Sequence, residues 1–259
     1  MSTGPTLFLP TVLGNPSLPR VPYDVSLRPL EFEKDVTNHY LFDSSDNTCL
    51  TGGYGGALTP NGAAPIYTGA LANTPPAGGT YLKVADGGMN GLITPYAEQD
   101  TQTQWVVVRK DALTGSFTDI ILFGTFSSAD TTSGHMAYLQ GGMFDVSRTS
   151  GGNSTSAQLA STAAPPVNTT WLFVAVATAP GSRMTYVGGI GTQTDTPTKI
   201  SSIRNNAIGN AFFSVAAWQQ GPRVAEYGLV LGSKLSQAAL DQIYGRAKVR
   251  MTDRGVPLF

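Results

Sequence analysis

The segments that dominate this chain are apolar runs of strand length separated by turn residues, which restricts the fold to one built largely of strands. Four runs are rich in aromatic and β-branched residues: 39–43 (HYLFD), 104–109 (QWVVVR), 119–126 (DIILFGTF) and 171–178 (WLFVAVAT). These residue types suit the pleated surface of a sheet. Because no helical pattern lies between the runs, we expect an antiparallel sandwich or barrel.

Glycine positions predict how several strands are joined. The pairs Gly141-Gly142 and Gly188-Gly189 each interrupt an alternating run, which is typical of a tight hairpin. The runs on either side of 218–223 (WQQGPR) predict a third hairpin.

The last run, 224–232, alternates in polarity and is predicted to pair with the first strand of the domain. Its pattern places Glu226 on one face. The residues predicted for the opposite face are Ala225, Tyr227, Leu229 and Leu231.

One helix is predicted, and it follows the last strand. Ser236 is in the position of an N-cap, and Leu235 and Leu240 have the spacing of a hydrophobic staple. Gly255 is a natural residue to follow the C-cap. An apolar stripe at helical spacing is formed by Leu240, Ile243, Tyr244, Ala247 and Met251. Cations that complement the helix dipole are Lys248, Arg250 and Arg254.

Charged residues are scarce and unevenly distributed. The net charge of −1 argues against nucleic acid as a partner. No apolar run is long enough for a membrane helix, no signal peptide is expected, and the single cysteine, Cys49, excludes an internal disulfide. Residues 51–82 and 149–182 contain no Asp, Glu, Lys or Arg, which is typical of exported, virion or adhesin-like β proteins. Within them, 51–80 and 149–169 are predicted to be long loops.

Residues 1–36 are predicted to be an extended arm. Prolines at 5, 10, 16, 19, 22 and 29 prevent a helix or an interior strand. The apolar residues proposed for assembly are Leu7, Phe8, Leu9, Val12 and Leu13. Two alternatives stay open: the arm wraps its own domain, or it docks on a neighbouring subunit or a larger assembly.

Three stretches carry a resemblance to a known family. The stretch HYLFDSSDN (39–47) resembles the opening strand of concanavalin-A-like, laminin-G-type jelly rolls. WLFVAVATAPGSRMTYVGGI (171–190) resembles their central strand and hairpin, and AEYGLVLGSKLSQAALDQIYG (225–245) resembles their closing strand and helix. The chain departs from the family at Phe173, where a His is frequent, and at Gly188, where an Asn is frequent.

The resemblance covers about residues 37–255 and implies an all-β fold, a two-sheet antiparallel jelly-roll sandwich with one short C-terminal helix. The strand pattern itself predicts one domain over residues 37–259. It also implies a domain that often binds glycans and that recurs in bacteriophage virion proteins, such as tail fibres, baseplates and capsid decorations. Fold alone does not fix function.

A glycan site needs an aromatic face beside amide or guanidinium donors. The loop at 218–223 offers these groups at one end of the sandwich, and the long uncharged loop offers a second aromatic platform. The predicted glycan-binding residues are Trp218, Gln219, Gln220, Arg223, Tyr54 and Tyr67. The alternative for Trp218 is that it plugs the end of the sandwich, whereas Trp105 and Trp171 are predicted core residues.

Catalytic patterns are weak in this sequence. The glutamates are Glu31, Glu33, Glu98 and Glu226, and no core strand presents two carboxylates at period two. Neither His39 nor His135 accompanies a nucleophile motif, so we expect no enzyme, no cofactor and no metal site. Calcium ligation is harder to exclude, and its candidate ligands are Asp43, Asp46 and Asn47, for which an Asx turn is the alternative.

Together these patterns predict a non-enzymatic bacteriophage virion protein with a lectin-like domain. We expect the arm to bind other virion proteins or copies of the same chain, in a homo-oligomer for which three copies would suit a fibre or baseplate. A further expected partner is a host surface polysaccharide. The alternatives are a stand-alone carbohydrate-binding module and a polysaccharide-cleaving enzyme.

Overall fold

Two antiparallel sheets pack face to face, and one helix covers the outside of the first sheet. The structure, a computed structural model, describes residues 38–42, 56–68, 79–140, 142–155 and 170–259. The predicted arm at 1–36 lies outside the described residues. The two-sheet sandwich with one C-terminal helix that the sequence predicts is confirmed.

The described elements are fifteen strands and one long helix. In chain order they are β1 (Asn38–Leu41), β2 (Thr59–Asn61), β3 (Ile66–Thr68), β4 (Tyr81–Lys83), β5 (Gly91–Ala97), β6 (Gln102–Arg109), β7 (Ile120–Gly124), β8 (His135–Gln140), β9 (Gly142–Thr149), β10 (Gly152–Thr155), β11 (Trp171–Ala179), β12 (Ser182–Val187), β13 (Gly191–Asp195), β14 (Asn205–Gly209), β15 (Arg223–Leu231) and α1 (Gln237–Asp253). Within these residues, no helix combines the length and apolar composition that a membrane crossing demands.

The first sheet is centred on β6 and β15. Its order is β13-β12-β11-β6-β15-β4-β3, and β1 also pairs with β15. The pairing of β1 with β15 confirms the predicted contact between the first and last strands, with Asn38 opposite Leu229. Since β4 pairs with β15 at Arg223 and Val224, the strands β1 and β4 share one edge of β15 end to end.

The second sheet has the order β10-β9-β8-β7-β14-β5-β2. The β8–β9 pair confirms the hairpin predicted at Gly141-Gly142, because Gln140 lies opposite Gly142; Gly141 itself lies outside the described residues. The β12–β13 pair confirms the hairpin at Gly188-Gly189.

The third predicted hairpin is wrong. β14 and β15 lie in different sheets, and the segment between them contains a short 3-10 turn, Ala216–Trp218, instead of a strand. The Asn210 side chain bends this segment, since its carbonyl accepts the Phe213 N–H and its amide donates to the Trp218 carbonyl. The predicted long loops are also only partly loops, because they contain β2, β3 and β10.

Apolar side chains fill two layers. Along β6, Val106 and Val108 face the space between the sheets, whereas Trp105 and Val107 face α1. The predicted burial of Trp105 and Trp171 is confirmed, and both lie in the layer between the first sheet and the helix. The helix and the face of the first sheet that it covers therefore form a second hydrophobic core.

A bulge in β15 changes the predicted alternation. Tyr227, Leu229 and Leu231 pack with the inter-sheet core as expected, but Ala225 lies in the helix-facing cluster. The register of β15 against β6 shifts between Val224 and Glu226, so that one extra residue is inserted there.

Candidate functional site

Five aromatic side chains form a continuous row on the outer face of the second sheet, opposite the side that faces the core. We call this row the aromatic surface; it consists of Phe126, Tyr138, Phe144, Phe213 and Trp218. The Tyr138 ring stacks on Phe144 at 5.0 Å between centroids and contacts Trp218 at 4.7 Å. The Phe213 ring meets Trp218 at 5.7 Å and Phe126 at 5.3 Å, edge to face.

Strand alternation explains two members of this surface. In β8, Ala137 and Leu139 face the inter-sheet core, so Tyr138 faces outward. Tyr138 lies directly opposite Phe144 across the β8–β9 pair, which brings the two rings together. Trp218 and Phe213 come instead from the segment that Asn210 bends, and they pack against the outer face of the second sheet.

Of the residues predicted to bind glycan, Trp218 and Gln219 lie at this surface. Trp218 is partly buried, and the Gln219 amide donates to the Ser214 carbonyl at 3.2 Å.

The other predicted residues are held elsewhere. Gln220 is buried, where its carbonyl accepts the Thr114 N–H at 2.8 Å and its amide donates to the Ala112 carbonyl at 2.9 Å. Arg223 forms an ion pair with Asp111. Tyr67 packs against the inter-sheet core from β3, and Tyr54 lies outside the described residues.

Four aromatic residues of the surface were missed by the sequence prediction. Two could have been found, because a hairpin centred on residue 141 places Tyr138 opposite Phe144. The other two, Phe126 and Phe213, depend on loop conformations that no periodic pattern reveals.

Polar groups lie at both ends of the aromatic surface. At one end, the guanidinium of Arg148 stacks over the Phe126 ring at 3.8 Å and donates to the Asn153 side chain. At the other end, Asp119 precedes β7 and lies near Tyr138. Burial raises the pKa of Tyr138 to about 12, and the charges of Asp119 and Asp145 add to this effect. Burial also raises the pKa of Asp119, against the effect of a hydrogen bond from Thr118.

Three other buried carboxylates each bind a basic side chain inside the molecule. The Glu98 carboxylate accepts from Lys199 Nζ at 2.7 Å, and that of Glu226 accepts from Arg250 Nη2 at 2.7 Å. The Asp145 carboxylate accepts from Arg183 Nη1 at 2.9 Å and lies 2.8 Å from His135 Nδ1.

In the described part of the chain, no group of three or more His, Cys, Asp and Glu side chains is placed to hold a metal ion. His39 lies beside Glu226, at 3.1 Å. The calcium candidates Asp43, Asp46 and Asn47 lie outside the described residues.

Solved structures share this fold at low sequence identity. A botulinum neurotoxin type G receptor-binding domain is 9% identical with a TM-score of 0.55, over 82% of this chain and 51% of that one. Trypanosoma rangeli sialidase is 13% identical with a TM-score of 0.57, over 85% of this chain and 34% of that one. Domain 4 of a GH43 extracellular arabinanase from Geobacillus stearothermophilus, in complex with arabinotriose, is 16% identical with a TM-score of 0.54, over 81% of this chain and 98% of that domain.

These likenesses show the fold. The chain corresponds to about half the length of the toxin domain and to a third of the sialidase. No family model and no curated protein matches the sequence.

Proposed function

We propose that this chain is a glycan-binding domain that holds its ligand against the aromatic surface without cleaving it. The observation that carries the proposal is the continuous row of five rings from Phe144 to Phe126, in which Phe144, Phe213 and Trp218 are partly exposed and lie over the buried rings of Tyr138 and Phe126. Pyranose and furanose rings present apolar C–H faces that pack on aromatic side chains, while their hydroxyls need polar partners at the margin.

The margin of the surface supplies such partners. Arg148 is a donor at one end, and the Gln219 amide lies next to Trp218; at the other end Asp119 is an acceptor that is buried beneath the surface in the free protein. The strand register places Asp119 level with Gln140 of β8 and Arg148 level with Gly134, six positions away along the strand direction. At the usual rise of a strand this separation is about 20 Å. This length favours an oligosaccharide over a single sugar.

The fold supports the same class of ligand. The arabinanase domain, which the chain matches over nearly its whole length, was solved in complex with arabinotriose. Because the identity is 16%, this likeness supports the choice of ligand class and not a transfer of individual residues.

The absence of bond cleavage is part of the proposal. Glycoside hydrolysis uses two carboxylates that flank the scissile bond. Glu98, Asp145 and Glu226 are each engaged by a cation inside the molecule, so none of them is available as a partner for Asp119.

A role in a bacteriophage virion, with attachment through residues 1–36, is the more specific form of this proposal. The sequence features that favour it are the proline-rich apolar arm and the long uncharged segments.

The first experiment replaces Trp218 with alanine and measures binding to immobilised neutral oligosaccharides, including arabinotriose, by surface plasmon resonance. We expect the affinity to fall about fivefold to tenfold, because the packing of a sugar ring on an aromatic face contributes on the order of 1 kcal/mol. Trp218→Phe should retain most of the affinity, since it keeps an aromatic face.

The matched control is Tyr244→Ala, which removes a partly buried ring that packs on the opposite sheet. This variant should lose stability and keep its affinity for the oligosaccharide. Equal affinity in the Trp218→Ala variant and the parent protein would exclude the aromatic surface as the site. Turnover of any oligosaccharide in the panel would overturn the non-catalytic part of the proposal.

A further inference from the structure

Asp119 differs from every other buried carboxylate that the structure describes. Four carboxylates are buried in the described ranges: Glu98, Asp119, Asp145 and Glu226. Three of them bind a basic side chain, whereas Asp119 accepts one hydrogen bond, from the Thr118 hydroxyl to Oδ2. Its Oδ1 atom is buried and has no hydrogen-bond donor.

The position of this carboxylate is at the edge of the aromatic surface. Ile120 packs in the inter-sheet core and Ile121 packs in the outer cluster, so alternation places Asp119 on the outer face. Its charge is close enough to Tyr138 to raise the pKa of that phenol. Its neighbour Thr118 donates its N–H to the Ala217 carbonyl at 2.7 Å, which ties this end of β7 to the turn that carries Trp218.

Leaving a buried carboxylate oxygen without a donor is unfavourable, because the oxygen loses its hydration and gains no hydrogen bond in return. A leucine or asparagine at the same position would avoid the cost of an unpaired charge. Strained or unsatisfied groups that persist in a fold tend to occur at functional sites, and this one adjoins the surface to which we assign ligand binding.

We propose that Asp119 is the specificity-determining residue of the aromatic surface and selects a neutral oligosaccharide. Its Oδ1 accepts hydrogen bonds from sugar hydroxyls, which are the donors that the carboxylate lacks in the free protein. The same negative charge repels a sugar that carries a carboxylate at this position, so uronic-acid oligosaccharides are disfavoured. This inference rests on the proposed function and adds the ligand class to it.

Access to Asp119 requires a local movement, because its side chain is only 1% exposed. The adjoining turn, Ala216–Trp218, has no side-chain cap and no buried residue. A shift of this turn would uncover the carboxylate and let Trp218 close on the sugar ring. Since Trp105 and Trp171 are buried, a change in tryptophan emission on ligand addition should arise from Trp218 and should be absent in Trp218→Phe.

The test compares the full-length protein with Asp119→Asn, using isothermal titration with galactotriose and with trigalacturonic acid. The parent protein should prefer the neutral trisaccharide by at least about tenfold, the difference expected when a charged hydrogen bond is replaced by repulsion. Asp119→Asn keeps the shape and removes the charge, so it should bind galactotriose more weakly and trigalacturonic acid more tightly.

Asp100→Asn is the matched control, because it removes one exposed carboxylate that lies outside the aromatic surface. It should leave the preference unchanged. If Asp119→Asn keeps the preference of the parent protein, the assignment to Asp119 is overturned while glycan binding stands. If the parent protein prefers the uronate, the neutral-ligand class is wrong. If it binds neither these sugars nor the wider panel, both proposals fail.

Discussion

At the scale of single residues, the most consequential interaction is the buried ion pair between Glu226 and Arg250. Arg250 Nη2 and Nε donate to the two carboxylate oxygens at 2.7 and 3.1 Å, and the Trp105 indole donates to Oε1 at 3.2 Å. Burial acts to raise the pKa of Glu226, but Arg250 and His39 outweigh it and hold that pKa well below its usual range. Arg250, expected from the sequence to complement the helix dipole, instead joins α1 to β15.

Replacing one partner should therefore be costly. We expect Glu226→Gln to lower the free energy of unfolding by about 3 kcal/mol, because it leaves the Arg250 charge buried without its counter-charge. Urea denaturation measures the change. Glu226→Gln combined with Arg250→Met should cost less than the sum of the two single variants. A loss below about 0.5 kcal/mol, the range of ordinary surface substitutions, would contradict this account.

The residues of the candidate site were predictable only in part. Trp218 was predicted as a glycan-binding residue because an aromatic side chain beside amides in a loop suits that chemistry, and it stays a prediction. Gln220 was grouped with it by sequence proximity, but its side chain turns inward to bind the 112–114 backbone. Asp119 could not be singled out from the sequence. It differs from the other buried carboxylates because no basic side chain binds it in the folded structure, and the sequence does not show which side chains meet.

At two positions the sequence departs from the jelly-roll pattern that it resembles, and the structure gives a reason for each. Phe173 is 1% exposed and packs against Tyr186 and Tyr244, where a His would be poorly accommodated. Gly188 lies against the Tyr244 ring, and a Cβ there would come within 2.5 Å of it.

At the scale of elements, the helix was the most predictable part of the chain. The Ser236 hydroxyl accepts the Ala239 N–H as expected for an N-cap. At the other end, Gly255 has a φ of 68°, and the Val256 N–H donates to the Met251 carbonyl, which completes a Schellman motif. Local signals sufficed here because capping depends on neighbours in sequence, whereas the segment 210–218 was mispredicted because its partners are distant.

Two glycines in these elements should respond to alanine in opposite ways. Gly245 lies on the exposed face of α1 with nothing near its missing Cβ, so Gly245→Ala should stabilise the protein by about 0.5–1 kcal/mol. Gly228 in β15 lies under Trp105, and an added Cβ would be 2.0 Å from the indole.

Gly228→Ala should consequently destabilise the protein by about 3 kcal/mol through overpacking. Thermal melting of both variants, followed by circular dichroism, tests the pair. Equal shifts in melting temperature would mean that the helix does not hold Trp105 tightly against the first sheet.

At the scale of the whole molecule, buried carboxylates should make stability depend on pH. Burial acts to raise the pKa of Asp145, but the charges and hydrogen bonds of His135 and Arg183 outweigh burial and lower that pKa. The pKa of Glu226 is lowered in the same manner. A carboxylate whose pKa is depressed on folding stabilises the protein above its unfolded pKa, and this stabilisation is lost as the pH falls.

We therefore expect the melting temperature to fall steadily as the pH drops below about 4.5. Asp119, whose pKa is raised, acts in the opposite direction, so Asp119→Asn should make the decline steeper. Melting curves at pH 7, 5, 4 and 3 measure the effect. A flat profile down to pH 3 would contradict this account, because it would show that folding does not lower the pKa values of these carboxylates.

The assembly role of residues 1–36 is tested by light scattering after size exclusion. A chain shortened to begin at Val36 should stay folded, because the described sheets and helix are built from residues 38–259. If the full chain is oligomeric and the shortened chain is a monomer, the arm is an assembly element. Monomers of equal stability would favour an arm that wraps its own domain.

The shared edge of β15 has a consequence for the order of events during synthesis. β1 and β4 both pair with β15, which is made more than a hundred residues after either of them. Until β15 leaves the ribosome, these strands have no partner in the centre of their sheet, and β6 has an open side. Contacts this distant in sequence slow folding. We expect β7 to β10 of the second sheet to pair while the chain is being made, and both sheets to close only near the end of translation, when β14 and β15 become available.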